Sequence, residues 1–177
     1  MQQALRLSRQ QYVYAEILWQ DMLAAYGDTN SPDYWRQRAQ RRAYQGAIVQ
    51  HLLQAAHSLA MAVLHQVVDL PTQQITASSL SDTLPLLQQQ NYLSASAQLL
   101  QQALAGGYME QLQTAQQVFD AGAGPAVTTA TVDTGQSMAI GMVASDRLDD
   151  PDLWPVGHWL TAQQTLLEAV QAELQEC

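Results

Sequence analysis

The sequence predicts an all-α protein of about five main helices, and three observations support this fold class. Apolar residues recur at helical spacing over most of the 177-residue chain. Glutamine, which is a good helix former, supplies 28 residues and replaces much of the usual charge. Strand-like alternation is confined to one stretch rich in Gly, Ala and Thr, so we expect at most a short β-hairpin.

The first predicted helix extends from about Gln3 to Tyr26, where Gly27 ends it. One apolar stripe contains Leu5, Tyr12, Ala15, Trp19, Met22 and Tyr26. A second stripe contains Leu7, Tyr14, Leu18 and Ala25. Together the two stripes cover about half of the helix surface, and a helix this apolar requires neighbours on two sides.

The second predicted helix begins with Ser31 as N-cap and Pro32 in the first turn, and it continues to about Asp69. Its apolar residues between 49 and 67 share one face. Such a helix would be ~50 Å long, so we expect a bend, and Gly46 is the favoured place for it.

The rest of the chain predicts shorter helices. We expect a short helix near 78–90 and an antiparallel helical pair joined by Gly106–Gly107. A last helix follows Pro155.

Residues 122–152 lose the helical period. We predict a long ordered loop there, with a hairpin near 126–144 as the alternative. The predicted organisation is one helical-bundle domain over 1–177, with a helical core at 1–121, the loop insertion and a C-terminal helix at 153–177 that packs back.

Charge and cysteine content limit the function classes. The chain has seven arginines, no lysine and sixteen acidic residues, with a net charge of −9. This balance argues against nucleic-acid binding and against binding to an anionic membrane surface. The single cysteine, Cys177, excludes an internal disulfide and fits a reducing compartment. No leader pattern begins the sequence and the region 47–70 is too polar to span a bilayer, so we expect a cytoplasmic protein without membrane insertion.

No motif predicts catalysis, a metal or a cofactor. His51, His57 and His65 belong to the second helix, on the side opposite its Leu/Val face, where we expect them in solvent. His51 and His65 lie ~21 Å apart along the axis and cannot share a metal. Ser137 lacks the glycine that a nucleophile elbow needs. We therefore expect a non-enzymatic protein with no metal and no cofactor.

The arginines are concentrated near the start of the chain. Residues 1–60 contain six arginines and four acids, whereas 61–177 contain one arginine and twelve acids. On a helical wheel, Arg38, Arg41 and Arg42 extend the stripe that faces the core. A buried unpaired charge is too costly to persist, so their placement needs an explanation.

Three arrangements would satisfy these arginines. A bend at Gly46 would turn them to water, or acids such as Glu16, Asp21 or the 149–152 group would pair with them. Alternatively, they line a cleft that is open to an anionic ligand, since guanidinium groups suit carboxylates and phosphates and stack on aromatic rings. The candidate ligand-binding residues are Tyr34, Trp35, Arg38, Arg41 and Arg42.

Three segments resemble an uncharacterised bacterial family of short helical proteins. They are LSRQQYVYAEILW, HLLQAAHSLAMAVLHQVVDLP and WLTAQQTLLEAVQAELQEC. The resemblance implies a Tyr-rich first helix, a long second helix ending at Leu-Pro, a variable segment and a last helix ending in Glu-Cys. The family has no established activity, so the resemblance supports the architecture alone.

Two functions from different classes remain. The first is a protein–protein interaction or scaffolding bundle whose partner is another protein or a second copy. The alternative is a binding module for a small anionic or amphipathic ligand at the arginine and aromatic cleft.

Overall fold

A computed structural model describes residues 2–26, 33–67, 80–89, 94–121, 148 and 150–176, without the side chains of 34–36, 67 and 174–176. Over these residues the chain is helical and contains no strand, which confirms the all-α fold class. The elements are α1 (Gln2–Tyr26), α2 (Tyr34–Val67), α3 (Leu80–Gln88), α4 (Ala95–Leu104), α5 (Tyr108–Asp120), a 3₁₀ turn (Pro151–Leu153) and α6 (Val156–Glu176).

Some predicted features lie outside the described residues. These are the Ser31–Pro32 helix start, almost all of the loop insertion with its alternative hairpin near 126–144, and Cys177. The predicted turn between the paired helices is confirmed, because Gly106 has a φ of 83°, which favours glycine. The Gly106 amide donates to the Glu110 carboxylate (2.6 Å), which satisfies a backbone donor before α5.

The long helix α2 is the centre of the fold. It contacts every other described helix and the 3₁₀ turn, and it continues through Gly46 without interruption. Leu52, Leu59 and Val63 are fully buried within it. Each buried side chain of this size contributes about 1.5–3 kcal/mol relative to exposure, so α2 organises the hydrophobic core.

The inner face of α1 packs along α2. Ser8 and Ala15 are small and fully buried, so the two helices can approach closely. The Ser8 hydroxyl donates to the Ala55 carbonyl (2.8 Å), which satisfies the buried hydroxyl. Seven positions with alternating spacings of three and four residues form this face: Leu5, Ser8, Tyr12, Ala15, Trp19, Met22 and Tyr26.

Helix α6 returns to the start of α4. Ser94 caps α4, since its hydroxyl accepts from the Ala97 amide, and the Glu173 carboxylate accepts from the Ser96 amide (2.8 Å). Desolvation opposes ionisation of Glu173, but the hydrogen bonds from Ser96 and Ser94 outweigh it and lower its pKa. A carboxylate at a helix N-terminus is also favoured by the helix dipole.

One helical segment, Gln37–Gln66 in α2, is long and apolar enough to cross a membrane by length and composition. Its mean hydropathy is 1.4, and 61% of the apolar window is buried inside the protein. A buried core helix has these same properties, so the absence of membrane insertion stays a prediction.

Candidate functional site

The predicted arginine cluster lies opposite an acidic segment from the other end of the chain. Arg38 Nε donates to Asp152 Oδ2 (2.8 Å), and Arg38 Nη2 lies 3.7 Å from Asp150 Oδ1. The Asp152 side chain is only 9% exposed, so this ion pair is largely shielded from water. Pairing with the 149–152 acids was one of the three arrangements that the sequence left open, and Arg38 adopts it.

A further contact attaches the acidic segment to α2, and two local hydrogen bonds order the segment. The Gln45 side-chain amide donates to the Pro151 carbonyl, and the Asp152 amide donates to the Asp150 carboxylate (3.1 Å). The Trp154 indole donates to the Leu148 carbonyl (2.9 Å). The Gln45 bond joins the acidic segment 150–154 to the arginine-bearing half of α2, and the other two bonds order the segment itself.

The other predicted site residues have different surroundings. Arg41 is buried and interacts with another group, whereas Arg42 is half-buried. The Nε and Nη2 atoms of Arg42 are buried and make no hydrogen bond within the described ranges. Tyr34 and Trp35 lie in the first turn of α2, but their side chains are outside the described residues. Anion binding by these five residues therefore stays a prediction.

Aromatic rings extend from Gly46 into the core. The Phe119 ring packs directly on the Gly46 backbone, and an added Cβ there would lie 2.6 Å from one ring carbon. The ring centroids of Phe119 and Trp154 are 6.5 Å apart, and those of Trp154 and Trp159 are 6.1 Å apart. Trp159 is fully buried and its indole donates to Gln111 (2.9 Å). Trp154 and Trp159 thus belong to the core.

The expected exposure of the α2 histidines is wrong. His51, His57 and His65 are all half-buried, because neighbouring helices surround α2 on several sides. His51 Nδ1 lies 2.6 Å from Gln11 Oε1, and its ring meets that of Tyr14 edge-on. The Nδ1 atoms of His57 and His65 are buried without a hydrogen-bond partner within the described chain.

A groove of about 950 Å³ lies between α1, α2, α3 and α5. Its apolar part contains Leu7, Leu53 and Leu80, and Asp120 and Ser58 also reach it. The remaining lining is His57 and six glutamines: Gln11, Gln50, Gln54, Gln113, Gln116 and Gln117. The sequence reasoning missed this groove, because its glutamines come from three separate helices.

Two groups in the groove have unused hydrogen-bonding capacity. His57 Nδ1 and Gln116 Oε1 are buried and have no partner among the residues that the structure describes. Burial lowers the pKa of His57, although the negative charge of Asp82 opposes this shift. His57 is therefore mostly neutral at neutral pH, and the groove offers this imidazole, glutamine amides and the Asp120 carboxylate for hydrogen bonds beside an apolar patch.

The outer face of α1 presents apolar side chains to solvent. We define this face by Leu7, Val13, Tyr14 and Ile17, which are between 39% and 51% exposed. Two of these, Leu7 and Tyr14, belong to the second stripe for which the sequence predicts a neighbour. Its edges meet other helices, because Leu7 lines the groove, the Tyr14 ring meets that of His51 in α2, and Val13 lines a small pocket beside α6. The exposed fractions show that the described residues leave about two fifths to a half of each of these side chains uncovered.

Among the described residues, no group of three His, Cys, Asp or Glu side chains could hold a metal ion. No family model, curated protein or solved structure matches the chain. The resemblance to a bacterial helical family stays a prediction.

Proposed function

We propose that this protein is a non-enzymatic, cytoplasmic interaction module that binds another protein chain through the outer face of α1. The observation that carries this proposal is the concentration of exposed apolar side chains on one helix. Leu7, Val13, Tyr14 and Ile17 are all exposed there. Single exposed apolar residues are ordinary, but a contiguous group on one face is typical of an interaction site.

Photo-crosslinking tests this function directly. A photoreactive phenylalanine analogue is placed at Ile17 in the cells that naturally make the protein, with Leu99 on α4 as the matched control. Leu99 is also an exposed apolar residue, at 41%. We expect covalent adducts with a protein chain from position 17 and none from position 99. Equal adducts from both positions, or none, would contradict the proposal.

A second candidate function is binding of an amphipathic ligand. The groove favours it, because a volume of about 950 Å³ suits a small molecule and two of its buried polar atoms have no hydrogen-bond partner among the described residues. The arginine cluster is the competing location for an anionic ligand. Arg42 supports it, because its buried Nε and Nη2 make no hydrogen bond to the part of the chain that the structure describes.

Titration with 8-anilinonaphthalene-1-sulfonate, an amphipathic anion, separates these locations. Gln50→Trp fills the groove, Arg42→Gln removes the guanidinium, and Gln102→Trp is a control at an exposed position on α4. We expect only Gln50→Trp to weaken binding. If only Arg42→Gln loses dye binding, the site lies at the arginines. Wild-type protein that binds no dye would contradict this candidate function.

A further inference from the structure

We propose that the outer face of α1 is an interface between two copies of this chain, with the two α1 helices antiparallel about a two-fold axis near Val13 and Tyr14. The proposal rests on the proposed function and names its partner. In a two-fold interface the same patch serves both copies, so the patch must complement itself.

The apolar part of the argument comes from α1 itself. Its inner face is occupied by α2, where Ala15 and Met22 are buried. Its outer face contains a second run with alternating spacings of three and four, from Leu7 through Gln10 and Tyr14 to Ile17. This spacing is the pattern that packs one helix against another. A helix of the second copy would cover the part of this run that the described residues leave exposed.

The charges on α1 specify the direction of pairing. The exposed positive residues, Arg6 and Arg9, lie in its first half, and the exposed negative residues, Glu16 and Asp21, lie in its second half. Antiparallel pairing centred between 13 and 14 brings Arg6 of one copy beside Asp21 of the other. Parallel pairing instead brings like charges together, which is unfavourable.

A second pair of opposite charges has nearly the same centre. Arg9 and Glu16 lie on the same flank of α1, about 20° apart on a helical wheel. This flank is turned ~120° from the middle of the run from Leu7 to Ile17. It lies on the side of α1 that contacts α6, so Arg9 and Glu16 stay outside the interface between the two copies. Arg9 donates one hydrogen bond to Gln171 of α6 (2.8 Å), which holds it on this flank.

The size of the interface predicts a reversible dimer. The span from Arg6 to Asp21 is ~22 Å of helix, and one helix pair of this length is at the small end of specific interfaces. We therefore expect a monomer–dimer equilibrium that depends on protein concentration, not a permanent dimer.

Charge reversal tests the pairing. Sedimentation equilibrium in reducing buffer compares wild type with Arg6→Glu, Asp21→Arg and the double variant. Each single change places two like-charged pairs in the interface, and we expect dimerisation to weaken about tenfold. The double variant restores opposite charges and should regain wild-type affinity. Neither single change harms the monomer, since acids near a helix N-terminus and bases near its C-terminus are favourable.

Apolar substitution provides an independent measurement. Ile17 is 51% exposed, so Ile17→Lys should leave the monomer folded while it weakens the dimer at least tenfold. Leu99→Lys is the matched control and should leave the dimer unchanged. The proposal would be overturned if wild type is monomeric at every concentration. It would also be overturned if the double variant dimerises no more tightly than the single variants.

Cysteine cross-linking tests the direction. In a Cys177→Ser background, Val13→Cys should form a disulfide-linked dimer, because residue 13 lies at the axis. Gln3→Cys should not, because the two residues 3 would be ~31 Å apart along the helices. Equal cross-linking at both positions indicates parallel pairing and overturns the proposal. If photo-crosslinking at Ile17 captures a different protein and the chain stays monomeric, self-pairing fails and the proposed function stands.

Discussion

At the scale of single residues, the charge of Arg38 is balanced by carboxylates from a segment more than a hundred positions later. Arg38 Nε and Asp152 Oδ2 are 2.8 Å apart, and Asp150 is the second acid nearby. Removing one member of such a shielded pair leaves the other charge without compensation, which costs more than the pair contributes. The acidic segment 150–154 should therefore be sensitive to neutral substitutions.

We expect Asp152→Asn to lower the free energy of unfolding by about 1–3 kcal/mol, because Arg38 keeps its charge and loses its closest acceptor. Urea unfolding measures this loss. Asp120→Asn is the control, since Asp120 is an exposed acid and should change stability by less than about 0.5 kcal/mol. A double-mutant cycle with Arg38→Gln that gives no coupling would contradict the ion pair's contribution.

His57 gives the protein a pH dependence with a defined sign. Burial lowers its pKa below the ordinary value of 6.5, so the unfolded chain takes up a proton first as the pH falls. Stability is therefore fully present above about pH 6.5 and decreases below it. We expect the melting temperature of His57→Gln to fall less than that of wild type when the pH is lowered from about 8 to about 5.5.

The control for His57 is His158, which is exposed on α6. His158→Gln should leave the pH profile of the melting temperature unchanged. If both variants show the wild-type profile, His57 does not contribute to the acid sensitivity.

At the scale of elements, spacing predicts helices well and their ends less well. The bounds of α1, predicted as Gln3–Tyr26 and observed as Gln2–Tyr26, follow from a regular apolar pattern. Helix α4 begins at Ala95, because the Ser94 hydroxyl caps it. A capping serine among several polar residues is not distinguishable by periodicity alone.

Side-chain partners were less predictable than helices. The wheel places Arg38 toward the core, but only the tertiary fold selects Asp150 and Asp152 from the available acids. The groove was not predictable because its lining depends on how α1, α2 and α5 diverge. The histidine prediction failed because it assumed one buried face for α2, a helix that has neighbours on several sides.

The crossing of α2 and α5 depends on Gly46. Alanine is favoured over glycine in a helix by about 1 kcal/mol, but a Cβ here would displace the Phe119 ring from its contact with α2. We expect Gly46→Ala to be more favourable in a Phe119→Ala background than in wild type, by about 1–2 kcal/mol in unfolding free energy. Urea unfolding of the four proteins checks this, and equal effects in both backgrounds would contradict it.

At the scale of the whole molecule, the net charge of −9 opposes any contact between two copies. Salt screens this repulsion, since the Debye length falls from about 30 Å at 0.01 M to about 8 Å at 0.15 M. The proposed short-range pair of Arg6 with Asp21 of a second copy would be less affected by the same change.

We therefore expect the proposed dimer to become several-fold tighter when NaCl is raised from about 0.01 M to 0.15 M. Sedimentation equilibrium at the two salt concentrations measures the change. The Arg6→Glu/Asp21→Arg double variant has the same net charge and should show the same response. An affinity that falls steadily with salt would mean that local ion pairs outweigh the net repulsion.

The position of Trp154 gives the molecule an optical reporter. This indole is 5% exposed, two residues beyond Asp152 and 6.1 Å from the ring of Trp159. Detachment of the acidic segment 150–154 would transfer its indole into water, and its fluorescence emission would move to longer wavelength. Emission and far-ultraviolet circular dichroism, followed together through one denaturation, would therefore distinguish release of this segment from melting of the helices.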